Sequence, residues 1–126
     1  MAKHLESGRV AERLALSYLA ARGLRHVASN YRCRYGEIDL IMAERSTLII
    51  VEIRYRRSTR IMDPVASITP AKCRRIARTT QHFVQRHYRW RECPVRFDVI
   101  GLTGPLDHAR MNWIRGAFTM DNLFDN

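Results

Sequence analysis

Two acidic side chains stand where burial is expected, and together they have the chemistry to bind a metal ion. Asp39 lies in the middle of the segment Glu37–Ala43, and Glu52 interrupts the most apolar stretch of the chain, Thr47–Arg54. Two carboxylates brought close together away from water repel each other and lose solvation, so such a pair usually needs a cation. Hard oxygen ligands suit Mg²⁺ or Mn²⁺. A divalent ion held there could polarise a phosphodiester and lower the pKa of a bound water.

The alternative for this acidic pair is structural. Asp39 or Glu52 would then form an ion pair with Arg54 or Arg96, because buried arginine–carboxylate pairs are common in proteins. Asp98 repeats the pattern of a charge inside an apolar segment. We interpret Asp98 as a structural residue that pairs with Arg96, and both interpretations of Asp39 and Glu52 stay open on spacing alone.

A third acid, Glu12, lies in an apolar stretch near the N-terminus. On a helix its neighbours three, four and seven residues onward are Ala15, Leu16 and Leu19. An acid in that stripe is either a boundary residue at the surface or is aimed into a site. If it is aimed into a site, it is a candidate to support the metal-binding pair.

These acids are carried by elements that the residue patterns predict. Dense apolar residues predict a largely buried helix over Glu6–Arg22, with Ser7 as N-cap and Gly23 at its end. Period-two alternation places Glu37, Asp39 and Ile41 on one strand face and Ile38, Leu40 and Met42 on the other. The further predictions are strands at Leu24–Cys33 (an edge strand), Glu37–Ala43, Thr47–Arg54 (buried on both sides), Val95–Leu102 and around Met111–Ile114, and a helix from Thr69 and Pro70 to about His87.

The order of these elements predicts an α/β fold. Three consecutive strands favour an antiparallel meander, and a crossover helix then returns the chain parallel to a neighbouring strand. The result is a mixed β-sheet flanked by helices with an α-β-β-β-α-β core. At 126 residues the chain has the length of a single domain, residues 1–126.

The composition points toward a polyanionic partner. The formal net charge is +10, and only two of the 22 basic residues are lysines, Lys3 and Lys72. Arginine suits phosphate because its planar fork donates two hydrogen bonds at once.

The three cysteines, at positions 33, 73 and 93, have no metal-site or disulfide spacing, which predicts free thiols. No apolar run reaches the roughly 20 residues of a membrane span, and no secretory signal is visible, so we expect a cytoplasmic protein without a membrane partner.

Several short blocks give the sequence a family resemblance. It resembles the YraN family of small bacterial proteins from Gly8 to about Asn122. The pair formed by the GEIDLI block at residues 36–41 and the VEI block at residues 51–53 is the most specific part of the match. The other matching blocks are Gly8…Ala11-Glu12…Ala15…Tyr18-Leu19, Asn30-Tyr31-Arg32, Lys72…Arg75-Ile76 and Arg96-Phe97-Asp98-Val99-Ile100.

That family resembles the archaeal Holliday-junction resolvases and the wider restriction-endonuclease-like superfamily. The resemblance implies that Glu12, Asp39 and Glu52 are the acids of a metal site. It also implies that position 54 holds a catalytic lysine and that the backbone carbonyl of Ile53 faces the metal. The expected fold is then restriction-endonuclease-like, in agreement with the α-β-β-β-α-β order found independently above.

The sequence departs from the family pattern at the residue that matters most. Where the family has Glu-Val-Lys, this chain has Glu52-Ile53-Arg54. Lysine can lose its proton when its pKa is lowered, whereas an arginine side chain effectively cannot. Either Arg54 keeps an electrostatic role in a metal-dependent (Mg²⁺ or Mn²⁺) endodeoxyribonuclease, or the protein binds nucleic acid without cutting it. Lys72 could supply the missing lysine from the second helix, or it is a solvated residue or phosphate contact there.

Basic residues near the acidic pair are the candidate nucleic-acid contacts. A basic run with an interleaved Tyr55 follows the acids and contains Arg56, Arg57 and Arg60, while Lys72 and Arg75 belong to the second helix. Such a run can track a phosphate backbone and stack on bases, or it is a solvated loop. We expect DNA, including branched DNA, as the ligand. A homodimer is expected by analogy with enzymes that cut two strands, and a protein adaptor without nucleic acid is the remaining alternative.

Overall fold

Five strands and two helices make up most of the described chain. The computed structural model describes residues 2–58 and 63–119, with side chains from residue 6 onward. The restriction-endonuclease-like α-β-β-β-α-β order is confirmed, and the fifth strand extends over nine residues. The elements are α1 (Ala2–Ala21), β1 (Arg25–Cys33), β2 (Gly36–Glu44), β3 (Thr47–Arg56), α2 (Pro70–Arg86), β4 (Val95–Thr103) and β5 (Arg110–Phe118).

The strands form a mixed sheet in the order β1-β2-β3-β4-β5. The first three strands are antiparallel to one another, β3 and β4 are parallel, and β5 returns antiparallel to β4. Helix α2 connects the two parallel strands, which is the crossover that the sequence predicted. The edge position predicted for β1 is confirmed as well.

The N-cap predicted for α2 is present, whereas the one predicted for α1 is not. The Thr69 side chain accepts a hydrogen bond from the Lys72 backbone N–H at 3.1 Å, so the predicted N-cap of α2 is confirmed. Helix α1 starts at Ala2, so Ser7 lies inside it and the prediction of an N-cap there is wrong. Its end at Gly23, which adopts φ +98°, agrees with the prediction.

Two apolar clusters cover the two faces of the sheet. On one face Ile76 and Phe83 of α2 pack against strand residues that include Ile50. On the other face α1 contributes only a stripe of small and medium side chains, Ala11, Ala15 and Leu19. The prediction that α1 is largely buried is therefore wrong, because its other apolar side chains lie along the helix flanks and stay partly exposed.

The buried central strand supplies both clusters. Leu48 and Ile50 belong to the cluster beneath α2, while Ile49 and Val51 belong to the cluster beneath α1. All four side chains are inaccessible or nearly so. The prediction of a strand buried on both sides is confirmed, and Glu52 directly continues this strand.

Strand β2 does not keep the strict alternation that the sequence predicted. Ile38 packs in the cluster beneath α2, whereas Leu40 packs in the cluster beneath α1. The prediction that both share a face is wrong. Opposite this point β1 has Asn30 with φ +53°, a conformation that asparagine tolerates better than most residues. The alternation of β2 side chains thus breaks between Ile38 and Leu40, at Asp39.

Asp98 is a buried acid with a complete set of partners. Its two carboxylate oxygens accept hydrogen bonds from Arg96 Nε and Nη2, both at 2.9 Å. Trp113 Nε1 and the Gly116 backbone N–H donate to it at 3.0 Å from β5. The predicted pairing with Arg96 is confirmed, and the carboxylate links β4 to β5.

Two further sequence predictions concern the whole chain. The three cysteines are unpaired, as predicted. Within the described ranges, neither helix combines the length and the apolar composition that crossing a membrane requires.

Gly101 offers a test of the packing beside the acidic pair. A Cβ built there would lie 2.5 Å from Pro64 Cγ, and the proline ring cannot rotate away. We expect Gly101→Ala to lower the free energy of unfolding by about 1–3 kcal/mol, measured by urea denaturation. The matched control is Gly8→Ala, whose Cβ meets nothing within 4 Å and which should add about 0.5–1 kcal/mol as a better helix former. Equal effects of the two changes would contradict this account.

Candidate functional site

The two acids meet where strands β2 and β3 part. Leu40 and Val51 are the last paired residues of this hairpin, and Asp39 and Glu52 are the next residue on each strand. Beyond that pair the backbone N–H of Ile53 donates to Asp39 Oδ2 at 2.9 Å. A side-chain carboxylate therefore takes the place of a main-chain acceptor, which holds the Asp39 carboxylate at the opening of the hairpin.

Glu52 is almost completely buried beside Asp39. Its side chain is 2% exposed, and its Oε1 atom has no hydrogen-bond donor among the described residues. Burial, and then the hydrogen bond and negative charge of Asp39, raise the pKa of Glu52 to about 9. The positive charges of Lys72 and Arg54 act in the opposite direction but do not offset this rise. With a pKa of about 9, Glu52 carries its proton at neutral pH.

Glu12 reaches the same region from helix α1. It is half-buried, and its Oε1 accepts a hydrogen bond from Asn30 Nδ2 at 2.8 Å. Glu12 and Asp39 both line a cleft of about 460 Å³, here called the acidic cleft, whereas Glu52 lies behind Asp39 and does not line it. The lining residues are Gly8, Arg9, Ala11, Glu12, Asn30, Arg32, Asp39, Ile53 and Tyr55.

The donor set fits a hard divalent cation in its chemistry. Within the described part of the chain, no three His, Cys, Asp or Glu side chains are grouped so that they could hold a metal ion. Asp39 and Glu52 nevertheless lie together, and the orphan Glu52 Oε1 is a buried ligand atom without a partner. The backbone carbonyl of Ile53, the residue after Glu52 on β3, is a further candidate oxygen ligand. A cation there would take the place of the proton on Glu52.

Arg54 is held by neighbours other than the acids. Its Nε donates to Ser67 Oγ at 3.0 Å, and its Nη1 approaches the Ile53 carbonyl at 3.3 Å. Ser67 itself donates to the Pro64 carbonyl at 2.7 Å. The guanidinium is therefore fixed against the segment that leads into α2.

The structural ion-pair alternative for Asp39 and Glu52 is wrong. Arg96 forms its ion pairs with Glu44 and Asp98 instead. No ion pair in residues 2–58 and 63–119 joins Asp39 or Glu52 to an arginine. Asp39 and Glu52 thus contact each other, and Asp39 also accepts the Ile53 backbone N–H. A cation could bind between two carboxyl groups placed in this way.

The candidate phosphate contacts separate into two groups. Arg56 and Arg57 line a second cleft of about 800 Å³ together with Tyr55. Lys72 and Arg75 belong to α2, on the other face of the sheet, where Lys72 is close enough to lower the pKa of Glu52. Arg60 lies outside the described residues.

Residues that line the acidic cleft and were not predicted as site residues from the sequence include Gly8, Arg9, Asn30 and Arg32. Asn30 holds Glu12 in place, and its only signal was its break in a strand pattern. Gly8 lines both clefts, and a glycine inside the predicted helix Glu6–Arg22 was the signal that could have indicated a close approach there.

The fold and the acids together define a class of protein. It is a mixed α/β domain in which two carboxyl groups meet at the parting ends of neighbouring strands, beside a cleft rimmed by arginines. Within this class, residues 11–102 match the model of the uncharacterised protein family UPF0102. The chain belongs to this family.

Relatives across the family cover nearly the whole chain. A UPF0102 protein of Nitrosococcus oceani is 46% identical over 121 residues, which span 96% of this chain and 98% of the relative. A UPF0102 protein of Stutzerimonas stutzeri is 42% identical, covering 94% of this chain and 98% of the relative. The predicted family membership is confirmed. The further likeness to resolvases stays an expectation.

The raised pKa of Glu52 predicts a dependence of stability on pH. Because its pKa is about 9 in the folded protein and ordinarily 4.5, the folded state binds one more proton than the unfolded state between those values. The free energy of unfolding should therefore fall as pH rises from 5 to 8, by roughly 1 kcal/mol per pH unit from this group. Glu52→Gln should remove that fall, measured by urea denaturation at each pH.

The matched control for this measurement is Glu92→Gln. Glu92 is exposed, so its replacement should leave the pH dependence of the wild-type protein unchanged. A Glu52→Gln variant with the wild-type pH dependence would show that Glu52 is ionised in the folded state.

Proposed function

We propose that this protein is a metal-dependent phosphodiesterase that acts on nucleic acid, with DNA as the expected substrate. The observation that carries the proposal is the contact between Asp39 and the buried Glu52, whose Oε1 has no donor within residues 2–58 and 63–119. Folding two carboxyl groups together in this way is costly unless a proton or a cation neutralises them. Mg²⁺ or Mn²⁺ is the cation that such oxygen ligands prefer.

The residues around the pair suit a phosphodiester. Asp39, Glu52 and the Ile53 carbonyl would hold the cation, which supplies Lewis-acid chemistry and an activated water when it is bound. Glu12 faces the cleft from the opposite side and is kept in place by Asn30. Arg9 and Arg32 rim the same cleft and bring positive charge to an approaching phosphate.

The charge balance of the whole chain supports the same substrate class. A formal net charge of +10 attracts a polyanion and speeds its association. Arg56 and Arg57 extend the positive rim from the acidic cleft along the end of β3. A phosphodiester chain is therefore drawn to the side of the sheet on which Asp39 opens.

We expect purified protein to cleave nucleic acid in Mg²⁺ or Mn²⁺ but not in EDTA. Asp39→Asn and Glu52→Gln should each lower the cleavage rate by roughly 100-fold or more, because each removes charge from the cation site. Gel assays on single-stranded, duplex and branched DNA measure this rate.

Glu92→Gln is the control, because it removes an exposed acid distant in sequence from both strands. Its rate should equal that of the wild-type protein. Cleavage that survives unchanged in both Asp39→Asn and Glu52→Gln would come from another site or a contaminant and would refute the proposed mechanism.

A second candidate function is nucleic-acid binding without cleavage. The fixed position of Arg54 favours it, since this guanidinium is engaged by Ser67 and by the Ile53 carbonyl. Arginine cannot accept a proton, so a lysine-dependent step is absent at this position. The protein would then keep the arginine-rimmed clefts as a binding surface.

The Arg54→Lys variant separates the two functions. Lysine can deprotonate when its pKa is lowered, so we expect Arg54→Lys to raise the cleavage rate by roughly tenfold or more in Mn²⁺. Arg54→Ala is the control that removes the cation without offering an amine. If the wild-type protein is only a binder, cleavage appears in Arg54→Lys alone. Equal rates for the lysine and alanine variants would exclude a proton-transfer role at this position.

A further inference from the structure

The acidic cleft continues into the second cleft. Gly8 and Tyr55 line both, so the two cavities of about 460 and 800 Å³ share one boundary. Together they form a trough with Glu12 and Asp39 at one end and arginines at the other. We call the first the acid end and the second the arginine end.

The walls of the trough come from separate elements. Residues 7–12 of helix α1 form one wall, and at the acid end Asn30 and Arg32 of β1 form the opposite wall. The Asn30–Glu12 hydrogen bond of 2.8 Å joins these two walls directly. At the arginine end the opposite wall is the turn at residues 105–107.

Gly8 leaves the middle of the trough open. It lies in α1, is exposed, and a Cβ built there would meet nothing within 4 Å. A glycine in a helix interior is a poorer helix former than alanine, and no packing contact of this position requires it. A larger side chain here would project between the two cavities that Gly8 joins.

Tyr55 provides a flat, fixed surface at the same point. Its hydroxyl donates a hydrogen bond to the Gly104 carbonyl at 3.0 Å, and its side chain is half-buried. The guanidinium of Arg56 is turned back onto the Tyr55 carbonyl at 2.9 Å. An aromatic ring held in this way between basic residues can stack with a nucleic-acid base.

We propose that the trough binds one unpaired strand of nucleic acid. In this arrangement a base stacks on Tyr55 as the strand passes Gly8, Arg57 contacts the backbone, and the next phosphates reach the acid end. The inference rests on the proposed function and names its substrate class, which is single-stranded nucleic acid or an unpaired segment of a branched one.

The width of the acid end argues against an intact duplex. The acidic cleft encloses about 460 Å³ in the gap between α1 and β1, a volume in the range of pockets for small molecules. A double helix resting on the rim keeps its phosphates outside that gap. A single strand has no such limit, because its backbone bends and its bases turn independently.

The experiment measures binding separately from cleavage. Fluorescence anisotropy in EDTA compares labelled single-stranded DNA, single-stranded RNA and duplex DNA of the same sequence, each of about 20 nucleotides. We expect the single-stranded DNA to bind at least about tenfold more tightly than the duplex. Equal binding of the RNA would mean that the trough recognises an unpaired backbone irrespective of its sugar, while weaker binding would assign it to DNA; the inference stands in both cases.

Variants then place the bound strand in the trough. Gly8→Leu should weaken single-strand binding roughly tenfold, whereas Ser17→Leu, which introduces the same side chain at an exposed position on the opposite side of α1, should not. Tyr55→Ala should weaken it similarly, and Tyr55→Phe should retain it because the ring remains. Circular dichroism confirms that each variant is folded.

The outcomes for the trough and for the proposed function differ. Tighter duplex binding, or single-strand binding unaffected by both Gly8→Leu and Tyr55→Ala, overturns the trough even if Asp39→Asn abolishes cleavage. Single-strand binding that is sensitive to Gly8→Leu supports the trough even if no metal ion elicits cleavage, in which case the phosphodiesterase proposal alone fails.

Discussion

The site depends on one constraint, which is that strands β2 and β3 separate directly after an apolar hairpin. The last paired residues are buried, and Glu52 follows them into the interior, whereas Asp39 is half-buried in the wall of the acidic cleft. Asp39 accepts the Ile53 N–H, but among the described residues Glu52 has only Asp39 itself and the charges of Lys72 and Arg54. A proton or a cation must therefore accompany the pair.

Asp98 shows how the same fold treats a buried carboxylate that has only a structural role. It is fully buried, yet four hydrogen bonds from Arg96, Trp113 and Gly116 satisfy both of its oxygens. Such a complete set of partners leaves no ligand position open. Glu52 differs in having a free oxygen at comparable burial, and this difference separates a cross-strand link from a candidate metal ligand.

The chemistry at position 54 limits what the pair can do. Arg54 contributes positive charge, but its contacts to Ser67 and the Ile53 carbonyl tie it to the segment before α2. A permanently charged group can stabilise a phosphate and cannot remove a proton from water. Under the proposed function, a bound cation would lower the pKa of its water, and the proton of that water would pass to a base other than Arg54 or to solvent. The short distance from Glu12 to Asn30 keeps a second carboxylate facing the same cleft.

The sequence by itself determined the element order, the capped helix α2, the buried central strand and the candidate acids, because these follow from local patterns of apolar and polar residues. Only the tertiary structure decided that Ile38 and Leu40 pack in clusters on opposite faces of the sheet, since the two residues differ in the helix that covers them. It also decided that Glu12 bonds to Asn30, that Arg54 contacts Ser67, and that Gly8 joins two clefts. Glu12 and Asn30 are 18 positions apart in the chain and Arg54 and Ser67 are 13 apart, and no local periodicity encodes such a meeting.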